Sequence, residues 1–117
     1  MEDKIIVNGV AYVKDFNRAG QCNGMNYCIV RTYSAGVFAG YVESRDDKEI
    51  VIKNARRLYY WNGAASLSEL AMSGVKKPEN CKFPEEVDRV LVTEAIEILD
   101  CSEKAKKSIA EVPVWRA

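Results

Sequence analysis

The sequence predicts an α+β fold in which an antiparallel β-sheet of about five to six strands packs with two short helices. Short apolar runs follow one another between turn-forming residues in the first half of the chain, and consecutive strands joined by short turns pair antiparallel. Two later segments each begin with a serine that can cap a helix. The length of 117 residues predicts a single domain, 1–117.

The first element in chain order is a predicted hairpin. Residues 5–7 and 10–13 are apolar and flank Asn8-Gly9, a dipeptide typical of a type I′ turn. Residues 15–26 are polar and rich in glycine and asparagine, which predicts a loop. This loop joins the hairpin to the body of the domain.

Three strands of the body form a predicted antiparallel meander. The first covers residues 27–33 and the second residues 37–43, with Ser34-Ala35-Gly36 as the turn between them. The charged residues 44–49 are predicted to form the tip of the next hairpin, and the third strand runs over 50–61. In a regular third strand, Asn54 lies on the face of Ile50 and Ile52, and Ala55 lies on the opposite face.

The first helix is predicted to begin at Ser66 and to end at Gly74. In the run Ser66-Leu67-Ser68-Glu69 the serine caps the helix and Glu69 reaches back to the Ser66 N–H group. Gly74 supplies a left-handed end. A loop with two prolines, 76–84, follows.

The last third of the chain predicts more sheet and a second helix. Residues 87–99 are apolar at a period of two, interrupted near Thr93-Glu94, and correspond either to two strands or to one bent strand. Ser102 is a cap for a helix over 103–111, and Pro113 ends it.

Composition excludes several classes of function. The 17 basic residues balance 17 acidic residues, so the general attraction that draws a protein to long nucleic acid is missing. The chain has no histidine, which removes the usual general base and the commonest metal ligand. Its four cysteines are too widely spaced for a zinc or redox pair and are expected to be free thiols. No nucleophile with a base occurs, so we expect no enzyme, no metal and no cofactor.

No signal peptide or apolar run of membrane-spanning length occurs in the sequence. We therefore expect a protein that works in the cytoplasm without a membrane partner.

The residues best suited to a ligand lie at the end of the third predicted strand. Arg56 and Arg57 carry planar donor groups that suit phosphate, and Tyr59 and Trp61 offer flat faces for a base. The period of two places Arg57, Tyr59 and Trp61 in one exposed stripe, and turns Arg56 with Leu58 toward the core. The alternative to a ligand contact, for each of the two arginines, is a surface position in which the side chain is solvated or forms a salt bridge.

Two further segments have both a structural and a functional interpretation. The turn Ser34-Ala35-Gly36 closes a hairpin, and its backbone N–H groups can also bind an anion. Phe83 lies between Lys82 and Pro84, and is either a lid over the core or a platform for stacking. The acidic pairs Asp46-Asp47 and Glu85-Glu86 are interpreted as solvated loops.

Three segments resemble the first Thoeris anti-defence family of phage proteins. They are Val30-Arg31-Thr32-Tyr33-Ser34-Ala35-Gly36-Val37-Phe38-Ala39-Gly40, Ala55-Arg56-Arg57-Leu58-Tyr59-Tyr60-Trp61-Asn62-Gly63-Ala64-Ala65-Ser66-Leu67-Ser68 and Asn80-Cys81-Lys82-Phe83-Pro84. The resemblance covers residues 26–117, which it implies are a ligand-binding body, and the N-terminal hairpin and loop, 1–25, lie outside it. It implies a sponge that sequesters cyclic ADP-ribose isomers, and also cyclic di- and trinucleotides of CBASS-type defence, without cleaving them, in the cytoplasm of an infected bacterium.

The same resemblance implies roles for individual residues and a homo-oligomer. Members dimerise and assemble up to hexamers, with nucleotide pockets between subunits. By position, Arg57 and Arg56 imply contacts to phosphate or ribose, Phe83 implies stacking on adenine, Thr93 implies a polar contact to the base, and Lys106 implies a cation from a neighbouring subunit. From the residues alone, a module that binds single-stranded RNA or another protein through Tyr59 and Trp61, or a small cyclic-nucleotide hydrolase, stay open as alternatives.

Overall fold

The computed structural model describes residues 17–117 and, before them, two strands, Lys4–Val7 (β1) and Val10–Val13 (β2). These two strands pair antiparallel with Val7 opposite Val10, which confirms the predicted hairpin. The Asn8-Gly9 turn lies outside the described residues.

A five-stranded antiparallel sheet forms the body of the domain, which confirms the α+β prediction. Its strands are Tyr27–Thr32 (β3), Val37–Asp46 (β4), Glu49–Arg57 (β5), Val87–Val92 (β6) and Ala95–Asp100 (β7). They lie side by side in the order β6-β5-β4-β3-β7. The tip of the β4–β5 hairpin is shorter than predicted, because both strands extend to Asp47-Lys48 and Asp47 makes the turn with a φ of 55°.

The segment 87–99 shows how the sheet curls. β6 and β7 pair with opposite edges of the β3–β4–β5 meander, although only Thr93-Glu94 separates them. Two residues span at most about 11 Å, whereas the edges of a flat five-stranded sheet lie about 19 Å apart. The sheet must therefore curl until its two edges approach at this connection. The predicted break at Thr93-Glu94 is confirmed.

The third strand departs from the predicted alternation at Asn54. This residue has a φ of 51°, and the register with β4 shifts beside it, so β5 carries one extra residue there. As a result Ala55 lies with Ile50 and Ile52 in one apolar cluster, and Asn54 does not continue that face. The prediction for Asn54 and Ala55 was wrong because a bulge reverses the faces of all residues after it.

The third strand is also shorter than the predicted 50–61. β5 ends at Arg57, and after Leu58 donates its N–H to the Val37 carbonyl, β4 has no further residue to pair. The N–H groups of Tyr59 and Tyr60 instead donate to the carbonyl of Lys82. The aromatic segment therefore leaves the sheet and lies against the 81–84 loop.

Two helices, Leu67–Ser73 (α1) and Glu103–Glu111 (α2), pack on one face of the sheet. Both serine caps are confirmed, since Ser66 accepts from the Glu69 N–H at 3.1 Å and Ser102 accepts from the Ala105 N–H at 3.0 Å. The Glu69 carboxylate accepts from the Ala65 N–H at 2.9 Å, one residue before the predicted partner.

The sheet separates two apolar clusters. One holds Ile29, Ala39 and the inner sides of both helices, and the other lies inside the curl of the sheet around Val30, Phe38 and Ile52. Val37 packs against the first cluster and Phe38 belongs to the second, and both lie at the start of β4, beside the β3–β4 turn and the end of β5. That end of the sheet holds the candidate site.

Candidate functional site

A surface groove of about 500 Å³ lies between the β3–β4 turn and the residues that follow β5. We call it the turn groove. It brings together four of the predicted site residues, Gly36, Arg57, Tyr59 and Trp61. Its lining is Ser34, Ala35, Gly36, Val37, Arg57, Leu58, Tyr59 and Trp61.

The turn itself is shaped by Gly36 and closed by Thr32. Gly36 has a φ of 100°, which favours glycine, and its carbonyl accepts hydrogen bonds from the Thr32 N–H at 3.0 Å and the Thr32 hydroxyl at 2.7 Å. On the other side, the Ser34 hydroxyl donates to the Glu94 carboxylate at 2.6 Å. Hydrogen bonds to β3 and to the β6–β7 connection therefore stabilise the turn.

Arg57 is exposed, and two contacts position its guanidinium. One nitrogen donates to the Ala35 carbonyl at 2.6 Å, and the guanidinium carbon lies 4.5 Å from the centre of the Phe38 ring. A guanidinium has five N–H donors, and this is its one hydrogen bond to the described residues. Arg57 thus presents further donors to the groove, at a place set by the turn and by an aromatic ring.

The aromatic side of the groove extends beyond the predicted residues. The Tyr59 ring stacks on the Trp115 ring, with 5.3 Å between centroids and 5° between planes. The Lys82 ammonium lies 5.5 Å from the centre of Trp115 and 5.9 Å from the centre of Tyr60. Sequence reasoning missed Trp115, and the available signal was a second tryptophan just after the helix-ending Pro113.

Arg56 lies on the opposite face of the strand and is 6% exposed. Its guanidinium donates four hydrogen bonds of 2.7–3.2 Å to backbone carbonyls. The acceptors are Phe83, Pro84, Ile109 and Val112. These bonds occupy four of its five donors, so this arginine joins β5 to the 83–84 loop and to the end of α2.

Phe83 is 0% exposed and belongs to the apolar cluster beneath the helices. Its ring lies 5.5 Å from the Arg56 guanidinium carbon. Of the two interpretations, a lid over the core or a platform for stacking, the structure agrees with the first. A fully buried ring has no face for adenine in this conformation.

Lys106 lies away from the turn groove, in a second depression of about 380 Å³ beside α2. Its ammonium lies 5.1 Å and 5.8 Å from the ring centres of Tyr41 and Tyr27. Hydrogen bonding to the Tyr41 hydroxyl raises the pKa of Lys106, so the side chain is a cation at neutral pH. Arg56 also lines this depression.

Thr93 is exposed in the β6–β7 connection, next to Glu94 and across from the β3–β4 turn. It does not line the turn groove. Of the nine predicted residues, four therefore line the turn groove. Lys82 lies next to the groove, because it contacts the Trp115 ring that stacks on Tyr59. The other four lie elsewhere: Arg56, Phe83, Thr93 and Lys106.

Two of the four cysteines, Cys28 and Cys101, are poor nucleophiles in this structure. Burial and the neighbouring Asp100 carboxylate raise the pKa of the Cys101 thiol from 9.0 to about 12, and burial with a hydrogen bond to Asp100 raises that of Cys28 to about 12. All four cysteines are free. Within residues 17–117, no cluster of three or more metal-ligating side chains occurs.

A family model, described as a domain of unknown function (DUF6948), matches residues 25–109 of the chain. The match includes all nine predicted site residues and stops before the tail with Trp115. No curated protein and no solved structure matches the sequence. In the described part of the chain no helix is long and apolar enough to cross a membrane.

Proposed function

Since the chain belongs to the DUF6948 family, whose description states no function, we propose one from the turn groove: the protein binds a cyclic nucleotide and holds it without cleaving it. The observation that carries the proposal is Arg57. Its guanidinium is exposed, held by the Ala35 carbonyl and the Phe38 ring, and bordered by the aromatic rings of Tyr59 and Trp61. A phosphate and a flat base need this combination.

Preorganisation makes the groove suitable for tight binding. A side chain already fixed in the free protein loses little conformational entropy when a ligand binds. A charge-assisted hydrogen bond contributes about 1.5–3 kcal/mol, and a base stacked on an aromatic ring contributes about 1–3 kcal/mol. For a ligand of about 35 non-hydrogen atoms, about 0.3 kcal/mol per atom gives a Kd in the tens of nanomolar.

The ligand class that we propose is the cyclic ADP-ribose isomers, with cyclic di- and trinucleotides as further candidates. The resemblance to the Thoeris anti-defence family supports this choice, and the protein would then act as a phage sponge in the cytoplasm of an infected bacterium. Sequestration needs affinity and no chemistry, and a chain that has no histidine and keeps the Cys28 and Cys101 thiols protonated suits it.

We further propose that the protein is a homo-oligomer, a dimer that assembles up to hexamers. The resemblance to the Thoeris anti-defence family supports this, since the pockets of that family lie between subunits. A neighbouring copy would add a cation to Arg57 of the turn groove, and Lys106 is the candidate. Sedimentation of the ligand-free protein gives the mass directly, and a monomer at micromolar concentration would contradict this part.

Calorimetry against cyclic ADP-ribose isomers and cyclic di- and trinucleotides tests the proposed function. We expect one class to bind, and heat denaturation of the complex should release the ligand intact, as seen by chromatography. A hydrolysed ligand would show an enzyme instead. Absence of binding to every member of the panel would contradict the proposal.

Arg57→Gln tests the residue that carries it. Because the substitution removes the charge and most donors, we expect affinity to fall by about tenfold to a hundredfold. Arg45→Gln is the matched control, since Arg45 is also exposed and donates to a turn carbonyl, that of Asp47. Equal affinities of the two variants, with unchanged melting temperatures, would remove Arg57 from the site.

A further inference from the structure

The stacked rings of Tyr59 and Trp115 have a feature that core packing does not explain. Their planes are within 5° of parallel, and the side chains are 64% and 44% exposed. Two large aromatic rings at the surface leave much apolar area in water. Solvent-exposed aromatic rings are also the surfaces on which proteins stack nucleobases.

The two rings are anchored very differently. Tyr59 follows the buried Leu58, and its N–H donates to the Lys82 carbonyl at 3.2 Å, so it is part of the fixed body. Trp115 lies on the C-terminal tail, residues 113–117. Its N–H donates to the Phe83 carbonyl at 3.0 Å, and the tail's ion pair, Arg116 with Glu85, is exposed and contributes little.

The tail has a defined point about which it can pivot. The Val112 carbonyl accepts a hydrogen bond of 2.7 Å from the Arg56 guanidinium, so the chain is fixed up to this residue. Pro113 then ends the helix and removes a backbone donor. For Trp115 to move away from Tyr59, the contacts that must break include the bridge of Val114 with Phe83, the Trp115 N–H bond to the Phe83 carbonyl and the Arg116–Glu85 ion pair.

A cation lies beside the pair. The Lys82 ammonium is 5.5 Å from the centre of the Trp115 ring. A nucleobase that is linked to a phosphate needs both an aromatic face and a nearby positive charge. The pair therefore suits a nucleotide better than an uncharged aromatic compound.

We propose that Tyr59 and Trp115 form an aromatic clamp, which opens at residue 113 and takes the base of the ligand between its two rings. This inference rests on the proposed function and names the residues that hold the base. The rings separate by about 3.5–4 Å, the thickness of one aromatic layer. One protein–protein stacked contact is thereby replaced by two protein–base contacts, and Lys82 faces the phosphate.

Calorimetry with the cyclic ADP-ribose isomer that binds the wild type most tightly tests the clamp. Trp115→Ala should weaken binding by about tenfold, because it removes one of the two faces that stack on the base. Trp115→Phe keeps a flat ring and should stay within about threefold of the wild type. Tyr33→Ala is the control, since Tyr33 is 78% exposed and lies outside the clamp.

The outcomes separate the clamp from the proposed function. If the wild type binds and Trp115→Ala binds equally well or more tightly, the clamp is wrong, and tighter binding would show that Trp115 blocks the groove. If the wild type binds no cyclic nucleotide, the proposed function fails and the clamp fails with it. The clamp is supported if the affinity falls in Trp115→Ala, stays near the wild-type value in Trp115→Phe and does not change in Tyr33→Ala. The melting temperatures of the three variants must be equal.

Discussion

At the scale of the residue, two adjacent arginines have opposite environments. Arg57 is exposed at the turn groove, whereas Arg56 is buried and bonded to four carbonyls. Burial lowers the pKa of Arg56, yet a guanidinium stays charged at any physiological pH. The charge of Arg56 is tolerated because carbonyl dipoles from two segments surround it.

This environment predicts that Arg56→Lys is costly. A lysine cannot reach four carbonyls with its compact ammonium, so buried acceptors lose their donors. We expect the free energy of unfolding to fall by about 2–4 kcal/mol, measured by urea denaturation. Arg57→Lys, one residue along, should change it by less than about 1 kcal/mol. Similar losses in both variants would contradict the structural role of Arg56.

At the scale of the element, α1 and α2 meet through a glycine. Gly74 ends α1 with a φ of 78°, and a methyl group on it would overlap the Ser108 side chain of α2. The Ser108 hydroxyl in turn accepts from the Val75 N–H at 3.0 Å. The end of one helix and the middle of the other are therefore packed without room for a side chain.

Gly74→Ala should destabilise the protein by about 2–4 kcal/mol, since it adds left-handed strain to overpacking between the helices. Thermal unfolding measures the loss. Gly20→Ala is the control, because a methyl group there meets no atom within 4 Å and the φ of Gly20 is not in the left-handed region. A Gly74→Ala melting temperature equal to that of Gly20→Ala would show that the helices can move apart.

At the scale of the whole molecule, buried thiols link stability to pH. Cys101 is 0% exposed between the sheet and the helices, and its pKa rises from 9.0 to about 12 on folding. Between these values the unfolded chain has lost the proton and the folded chain keeps it, so stability falls as pH rises. Below about pH 9 both states are protonated and this contribution does not change.

We therefore expect the urea midpoint to fall between pH 9 and pH 12 more steeply in the wild type than in Cys101→Ala. Denaturation at pH 8, 9.5 and 11 measures the two slopes. Because alanine cannot ionise, the variant's curve should be flatter whatever its stability at pH 8. Parallel curves would show that the Cys101 thiol is as easily ionised in the folded protein as in the unfolded chain.

Local patterns in the sequence determined most elements. The Ser66 and Ser102 caps and the left-handed Gly74 are local backbone features, and each lies where the sequence predicts it. The exposed position of Arg57 beside Tyr59 and Trp61 was predicted from the period of two as well. The prediction held for Arg57 and Tyr59, because the segment after β5 stays extended along the 81–84 loop, whereas Trp61 is half-buried and packs against the cluster beneath the helices.

Tertiary structure alone decided the rest. The curl of the sheet decides whether β6 and β7 pair with the same edge or with opposite edges. The burial of Phe83 depends on its packing beneath the helices and on the hydrogen bond from Arg56 to its carbonyl. The Trp115–Tyr59 stack joins residues 56 positions apart. Helix caps and strand periods act over a few residues and are visible in sequence, whereas these contacts arise only when the compact chain brings remote segments together.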